Sequence, residues 1–235
     1  PIAWRVLPAN QPGAWRPHVA ALITDVAGVI PPAMTVLVLT DRGLWSPHIW
    51  SAIRAQGWHP LQRLRPDVTF CPAGGQRGLA RTLVAGPGHA WVGAGVAFKH
   101  AGVRRAGTLV VCWAHGAKEP WICLTDLAPE AVGVAWDGLR TWIELGFRRL
   151  KRGGWEWQHT RRTDPARIAR HLLVLAIATL LSVLVGTRVE DAAARGLAPH
   201  TIRVAVAPPP TAQPRRAVSV QTRGLAPVRT LLLQR

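Results

Sequence analysis

The spacing of apolar residues predicts an alternation of strands and helices over the first 73 residues. Ile2–Leu7 has the composition of a strand, and Trp15–Ala27 repeats its apolar residues at helical spacing. Val36–Thr40 is a continuous apolar run after two prolines, which predicts a buried central strand. Ser46–Gln56 is predicted to form a helix and Leu61–Phe70 a further strand. This order of elements is typical of an α/β fold.

A different pattern begins near residue 74, where glycines become frequent and short β-type runs recur. The runs are Leu79–Val84, Ala90–Val96, Thr108–Ala114 and Trp121–Leu124. We interpret 74–126 as an antiparallel β insertion. It divides the core into 1–73 and 127–195, and a Pro- and Arg-rich tail that is expected to be disordered follows over 196–235.

Two long helices are predicted after the insertion. One covers Pro129–Lys151 and ends at a Gly-Gly pair, and the other covers Asp164–Leu184 and begins at an Asp-Pro pair. The second contains the apolar run Leu172–Val185, which is short for a membrane span and favours a buried core helix. A membrane-surface protein with this run inserted is the alternative interpretation.

The net charge of the chain indicates more about its partners than the rest of its composition does. The chain has 29 Lys and Arg residues against 12 Asp and Glu residues, a net charge of +17. Such a field attracts polyanions, above all nucleic acid. Most of the basic residues are arginines in a chain rich in Ala, Gly and Pro, a bias that a GC-rich genome also produces. Arginine content is therefore weaker support for DNA binding than the net charge suggests.

The three cysteines, Cys71, Cys112 and Cys123, are scattered and form no zinc-binding pattern. We expect them to be reduced and buried, in a cytosolic protein. The chain begins without a signal peptide or an initiator Met, which we interpret as an N-terminal truncation.

The predicted helix over Trp136–Lys151 carries the candidate chemistry. At about 100° per residue, Asp137, Arg140, Glu144 and Lys151 fall on one narrow stripe, beside an apolar arc that includes Phe147. A solvated face with ion pairs four residues apart is the ordinary interpretation of such a stripe. A second carboxylate favours a site, because Asp41 follows a predicted strand, where active sites of α/β sheets commonly lie.

These residues resemble a known family. Arg140-x3-Glu144-x6-Lys151 matches the Tyr-x2-Arg-x3-Glu-x6-Lys signature of bacterial insertion-sequence DDE transposases of the IS-four group. Asp41-Arg42-Gly43 resembles the motif around that family's second Asp. The resemblance covers roughly residues 1–185 and implies an RNase H-like mixed sheet, with a β insertion before the helix that bears the catalytic Glu.

The resemblance also implies roles. Asp41 and Glu144 would be catalytic metal ligands for two Mg²⁺ or Mn²⁺ ions, which suit carboxylate oxygens and phosphodiester chemistry. Arg140 and Lys151 would hold phosphates beside the metals, and Arg148 and Arg152 would follow the DNA backbone. The expected partners are the double-stranded DNA of transposon ends and target, with a homodimer on DNA as a further possibility and no membrane.

Two departures from the family pattern limit the expected activity. Asp137 stands where the signature has Tyr, and no residue matches the first Asp, which belongs on a strand upstream of Ile2–Leu7. We therefore expect an endonuclease domain fragment for cleavage and strand transfer in DNA transposition, inactive alone. The alternative is a catalytically inactive remnant that binds only DNA or a full-length partner.

The chain contains twelve tryptophans. Of these, Trp91, Trp113 and Trp121 in the insertion could contact bases or belong to the core.

Overall fold

The computed structural model describes residues 3–7, 15–133, 136, 144, 146–148, 150–151 and 155–195. They include the helices α1 (Trp15–Ala27), α2 (Pro47–Ala55) and α3 (Pro165–Ala194). α2 begins at the Ser46 cap, whose Oγ accepts a hydrogen bond from the His48 backbone N–H. The predicted bounds of α1 are confirmed, and those of α2 agree to within its caps.

Seven strands form one mixed sheet in the described part of the chain. They are β1 (Leu37–Thr40), β2 (His59–Arg63), β3 (Thr69–Pro72), β4 (Gly78–Leu79), β5 (Ala90–Ala97), β6 (Arg105–Cys112) and β7 (Trp121–Thr125). Their order across the sheet is β1-β2-β7-β6-β5-β3-β4. β1 and β2 are parallel, while every other pair is antiparallel. The α/β class is therefore confirmed.

The sheet is covered on both faces. Ile49, Ile53 and Trp58 pack with α1 and with Val38 on one face of β1. Leu37 and Leu39 lie on the other face, where they join a cluster that includes Val132 and Trp136. The side chains of a strand alternate between the two faces, so β1 contributes to both layers. The largest cluster follows the antiparallel strands and includes the buried Phe70, Leu109 and Leu124.

Glycines permit close strand packing in this sheet. Gly95 and Gly107 are register partners in β5 and β6. A Cβ at Gly107 would collide with the carbonyl oxygen of Thr125 in β7, and one at Gly95 would collide with the carbonyl oxygen of Cys71 in β3. Glycine is therefore required at both positions by the approach of a neighbouring backbone.

Several predicted elements differ in the structure. Residues 3–7 form no strand, and Arg5 is instead held by an ion pair with Asp25. β1 is an edge strand and half-buried rather than central, because only β2 pairs with it among the described residues. The predicted strand Leu61–Phe70 is two strands. Pro66 lies between them and has no N–H to donate to a ladder.

The insertion strands are largely confirmed, with one exception. Leu79–Val84 is mostly a 3₁₀ turn over Ala80–Leu83. The remaining strands extend the sheet that contains β1 and β2, since Leu61 pairs with Thr125 across β2 and β7. The predicted division into domains stays a prediction. By the contacts within the structure, the described residues fall into one compact unit over Ala3–Gly146 and another that begins at Phe147.

The helix predicted from Pro129 does not begin there. Pro129–Ala131 forms a single 3₁₀ turn, and residues 132 and 133 are not helical. Glu144 and residues 146–148 are α-helical, while residues 150–151 take the wider π-helical form. Phe147, expected on an apolar arc, is 58% exposed. A proline at the first helical position is compatible with a helix there but does not by itself start one.

α3 begins as predicted, since the Asp164 carboxylate accepts a hydrogen bond from the Arg167 backbone N–H at 2.7 Å. It extends ten residues past the predicted end. The expectation of a buried core helix is wrong, because only 17% of its most apolar window is buried. By length and composition alone, the segment Pro165–Asp191 could cross a membrane.

Two of the three cysteines also differ from expectation. Cys123 is buried, but Cys71 and Cys112 are only half-buried.

Candidate functional site

Asp41 lies at the carboxyl end of β1, where the chain leaves the sheet. Its carboxylate Oδ1 accepts a hydrogen bond from the Arg42 backbone N–H at 2.6 Å, and it caps the 3₁₀ turn Arg42–Leu44. Its backbone carbonyl accepts from the Leu44 N–H at 2.9 Å. The side chain is exposed. Strand end, cap and turn together hold a carboxylate at the rim of the sheet.

Basic and aromatic side chains occupy the same end of the sheet. Arg42 forms an ion pair with Glu119 at 3.0 Å, just before β7. The Arg63 guanidinium, at the carboxyl end of β2, stacks 4.6 Å from the centroid of the Trp121 ring. Because β2 and β7 are antiparallel, the end of β2 meets the start of β7. This end therefore carries two arginines and two carboxylates on separate strands and turns.

A buried polar pair lies directly behind Asp41. Thr40 and Gln62 are register partners in β1 and β2, and Gln62 is fully buried. In the described part of the chain, the Thr40 hydroxyl and both polar atoms of the Gln62 amide have no hydrogen-bond partner. A buried polar group without a partner costs free energy. No sequence signal marked this pair.

The proposed Glu144 is exposed and α-helical, in the same compact unit as Asp41. Arg148 and Lys151 are also exposed but belong to the other unit. Lys151 lies in the π-helical turn, so the ideal α-helical angle that aligned it with Glu144 does not apply. Arg140, Arg152 and Asp137 lie outside the described residues, as do the tail arginines.

The described residues do not form a metal cage by themselves. No group of three or more His, Cys, Asp or Glu side chains among them is arranged to hold a metal ion. Asp41 and Glu144 have the hard oxygen donors that Mg²⁺ prefers, but two carboxylates are fewer than such a site needs. Their role as metal ligands stays a prediction.

A third acidic residue, Asp126, serves the fold rather than this site. Its half-buried carboxylate accepts hydrogen bonds from Arg54 of α2 and from His59 at 3.2 Å. His59 begins β2, so this cluster lies at the opposite end of the sheet from Asp41. It ties α2 to the sheet.

The tryptophans singled out in the insertion take structural positions. Trp91 packs edge-on against Phe70, with ring centroids 5.8 Å apart. The Trp113 indole N–H donates to the Ala117 carbonyl at 2.9 Å. Both rings are half-buried against the main core cluster. The core interpretation is therefore favoured for these two residues.

Sequence reasoning missed a basic cluster at the start of α3. Arg162, Arg167 and Arg170 line one shallow pocket with His171, and all three arginines are exposed. Arg161 is the adjacent residue. The spacing Arg161-Arg162-x4-Arg167-x2-Arg170 could have revealed it, since residues three or four apart share a helix face. Asp164, the cap of α3, is the acidic residue among them.

Comparison with known protein families, with curated proteins and with solved structures finds no match to this chain.

Proposed function

We propose that this chain is a DNA-binding part of a DDE-type DNA transposase, which contributes Asp41 and Glu144 to a metal-dependent site and does not cut DNA alone. One observation carries the proposal. The Asp41-Arg42-Gly43 turn follows β1 directly, at the carboxyl end of a parallel strand pair. Antiparallel strands come next, and then the helical residue Glu144. This is the order that the resemblance to the insertion-sequence family implies.

The outer edge of β1 has room for a further strand, which in this proposal would carry the missing first Asp of the metal site. Among the described residues β1 pairs only with β2, so its other edge could accept a further strand. A strand added there would bring its end next to Asp41. The RNase H-like arrangement, with the first Asp on such a strand, belongs to this proposal, and so do two bound Mg²⁺ or Mn²⁺ ions.

DNA binding is supported by the charge and by the arginine cluster of α3. The net charge of +17 attracts phosphates over the whole chain. The cluster Arg161, Arg162, Arg167 and Arg170 offers guanidinium groups that bind phosphate oxygens two at a time. We propose that this cluster follows the DNA backbone without reading sequence.

The salt dependence of duplex binding tests this role. Affinity should fall by orders of magnitude between about 50 and about 200 mM salt, because phosphate binding releases counterions. Arg162→Ala with Arg167→Ala should flatten the log–log slope by about 2, because each phosphate that the protein neutralises adds roughly 0.9 to that slope. Arg65→Ala is the matched control, since Arg65 is 75% exposed, pairs with Asp67 and lies outside the cluster. An equal effect in the control would leave only a nonspecific charge effect and contradict the assignment.

Cleavage is tested separately with this chain and with a version extended by the upstream coding sequence. We expect no nicking of element-end DNA by the chain alone with Mg²⁺ or Mn²⁺. We expect nicking by the extended protein that is lost on Asp41→Asn or Glu144→Gln. Metal-dependent nicking by the short chain, abolished by Glu144→Gln, would refute the missing-ligand account. DNA binding without cleavage in both forms would favour the inactive remnant.

A further inference from the structure

α3 has two unlike faces. Leu172, Leu175 and Ser182 are buried along one stripe, and the Thr179 hydroxyl between them accepts a hydrogen bond from the Trp155 indole N–H at 3.0 Å. His171 stacks on Trp157 near the start of the helix. The segment that contains these two tryptophans therefore covers one side of α3 within its own compact unit.

The opposite side carries an exposed apolar seam of Leu173, Ile177, Leu180 and Leu184. These side chains are 51, 51, 58 and 51% exposed. Their spacing of four, three and four residues is the heptad spacing of a coiled-coil interface. At about 100° per residue, the centre of the seam lies roughly 150° around the helix from the centre of the buried stripe. Four half-exposed aliphatic side chains at this spacing fit a second helix of the same kind.

We propose that this seam is the interface of an antiparallel homodimer, in which α3 packs against α3 of a second copy. Centred between Ile177 and Leu180, the pairing sets Leu173 against Leu184 and Ile177 against Leu180 across the interface. Arg170 belongs both to this helix pair and to the cluster proposed to bind DNA, so the dimer is measured in the absence of DNA. The inference is argued from α3 alone and does not depend on the proposed function.

Charge selects the antiparallel direction. Arg170 lies on the line of the seam before its first residue, and Asp191 lies on the same line after its last. In the antiparallel pair, Arg170 of each copy comes within about one helical turn of Asp191 of the other. In a parallel pair in register, Arg170 would face Arg170 and Asp191 would face Asp191. Like charges at such positions are destabilising.

A second copy accounts for the seam better than a lipid bilayer does. A lone spanning helix meets lipid on all sides, whereas one side of α3 is covered and Trp155 is hydrogen-bonded to Thr179 inside the apolar segment. Val174, Leu181 and Val183 flank the seam and are 63, 49 and 39% exposed, so the uncovered apolar surface is wider than the seam. An apolar surface opposite a packed stripe fits helix pairing. The bilayer therefore becomes an outcome of the test.

Sedimentation equilibrium of the whole chain over a wide concentration range tests the dimer. We expect a monomer–dimer equilibrium, and Ile177→Glu or Leu180→Glu should raise its dissociation constant at least about tenfold by placing a charge in the seam. Val29→Glu is the matched control, because Val29 is an equally apolar residue, 75% exposed and outside α3. Far-ultraviolet circular dichroism verifies that each variant stays folded.

A charge swap tests the direction. Arg170→Asp and Asp191→Arg should each weaken the dimer, and the double variant should restore it, which a parallel pair in register would not do. The Asp191 carboxylate also lies 3.9 Å from Arg195 in its own chain, so thermal melting is compared across the swap set. A monomer at all concentrations, a dimer indifferent to the seam variants, or monomeric insertion into phosphatidylcholine–phosphatidylglycerol vesicles would overturn the proposal.

Discussion

Replacing the buried polar pair behind Asp41 should stabilise the protein. Gln62 is fully buried, and both polar atoms of its amide lack a hydrogen-bond partner among the described residues. Gln62→Met keeps the length of the side chain and removes those atoms. An unsatisfied buried polar group costs about 1–3 kcal/mol, so we expect the free energy of unfolding to rise by about 1–2 kcal/mol. That corresponds to about 2–8 °C in Tm for a chain of this size.

Two buried threonines separate the effect of hydrogen bonding from the effect of side-chain volume. Thr40→Val removes a buried hydroxyl for which the described residues provide no partner, and we expect it to be neutral or stabilising. Thr108→Val makes the same change at a buried strand position where the hydroxyl donates to the Leu127 carbonyl at 2.5 Å. We expect Thr108→Val to reduce the free energy of unfolding by about 1 kcal/mol.

Urea unfolding followed by tryptophan fluorescence measures all three variants. Opposite signs for the two threonines would tie the effect to hydrogen bonding rather than to volume. Destabilisation of more than about 1 kcal/mol by both Gln62→Met and Thr40→Val would refute the reasoning, because it would mean that the pair is satisfied in solution.

Two further predictions concern the close strand packing in the sheet and the Asp126 cluster that ties α2 to it. Gly107→Ala should reduce the free energy of unfolding by about 1–3 kcal/mol in urea, because its Cβ would collide with the Thr125 carbonyl; Gly102→Ala, with open space around it, should not, and equal effects would contradict the packing argument. Asp126→Asn should reduce the free energy of unfolding by about 1–2 kcal/mol, because this carboxylate, only 11% exposed, accepts hydrogen bonds from Arg54 and His59. Asp67→Asn, in an exposed pair with Arg65, should change stability by less than about 1 kcal/mol, and an effect as large as that of Asp126→Asn would show that burial is not the cause.

Local signals predicted the elements that local chemistry controls. Helical spacing located α1, and Ser46 and Asp164 marked helix starts because their side chains cap free backbone N–H groups. The end of β1 before Asp41 was also predictable, since the apolar run stops at Thr40. In each case a few neighbouring residues carry the whole physical cause.

Properties that depend on distant residues were not predictable. Whether β1 is central or at an edge depends on which strands pair with it, and whether α3 is buried depends on what covers each of its sides. An apolar run looks the same in either case. The lack of partners for Gln62 among the described residues likewise depends on the neighbouring strands, with Thr40 and Leu124 in register, which no local pattern encodes. The arginine cluster was visible in the sequence but was obscured by the abundance of arginine elsewhere.

The pairing of β2 with β7 has a consequence for how this chain can vary. The chain leaves β2 at Arg63 and returns to the adjacent strand at Trp121, with Arg63 and Cys123 in register. The segment between these two strands therefore begins and ends at neighbouring positions in the sheet. The entropy of closing such a loop grows only with the logarithm of its length, so insertions at the turns between β3 and β6 should have little effect on the strands beside Asp41. Tolerance of insertions should therefore be greatest at the turns far from β2 and least where β2 meets β7.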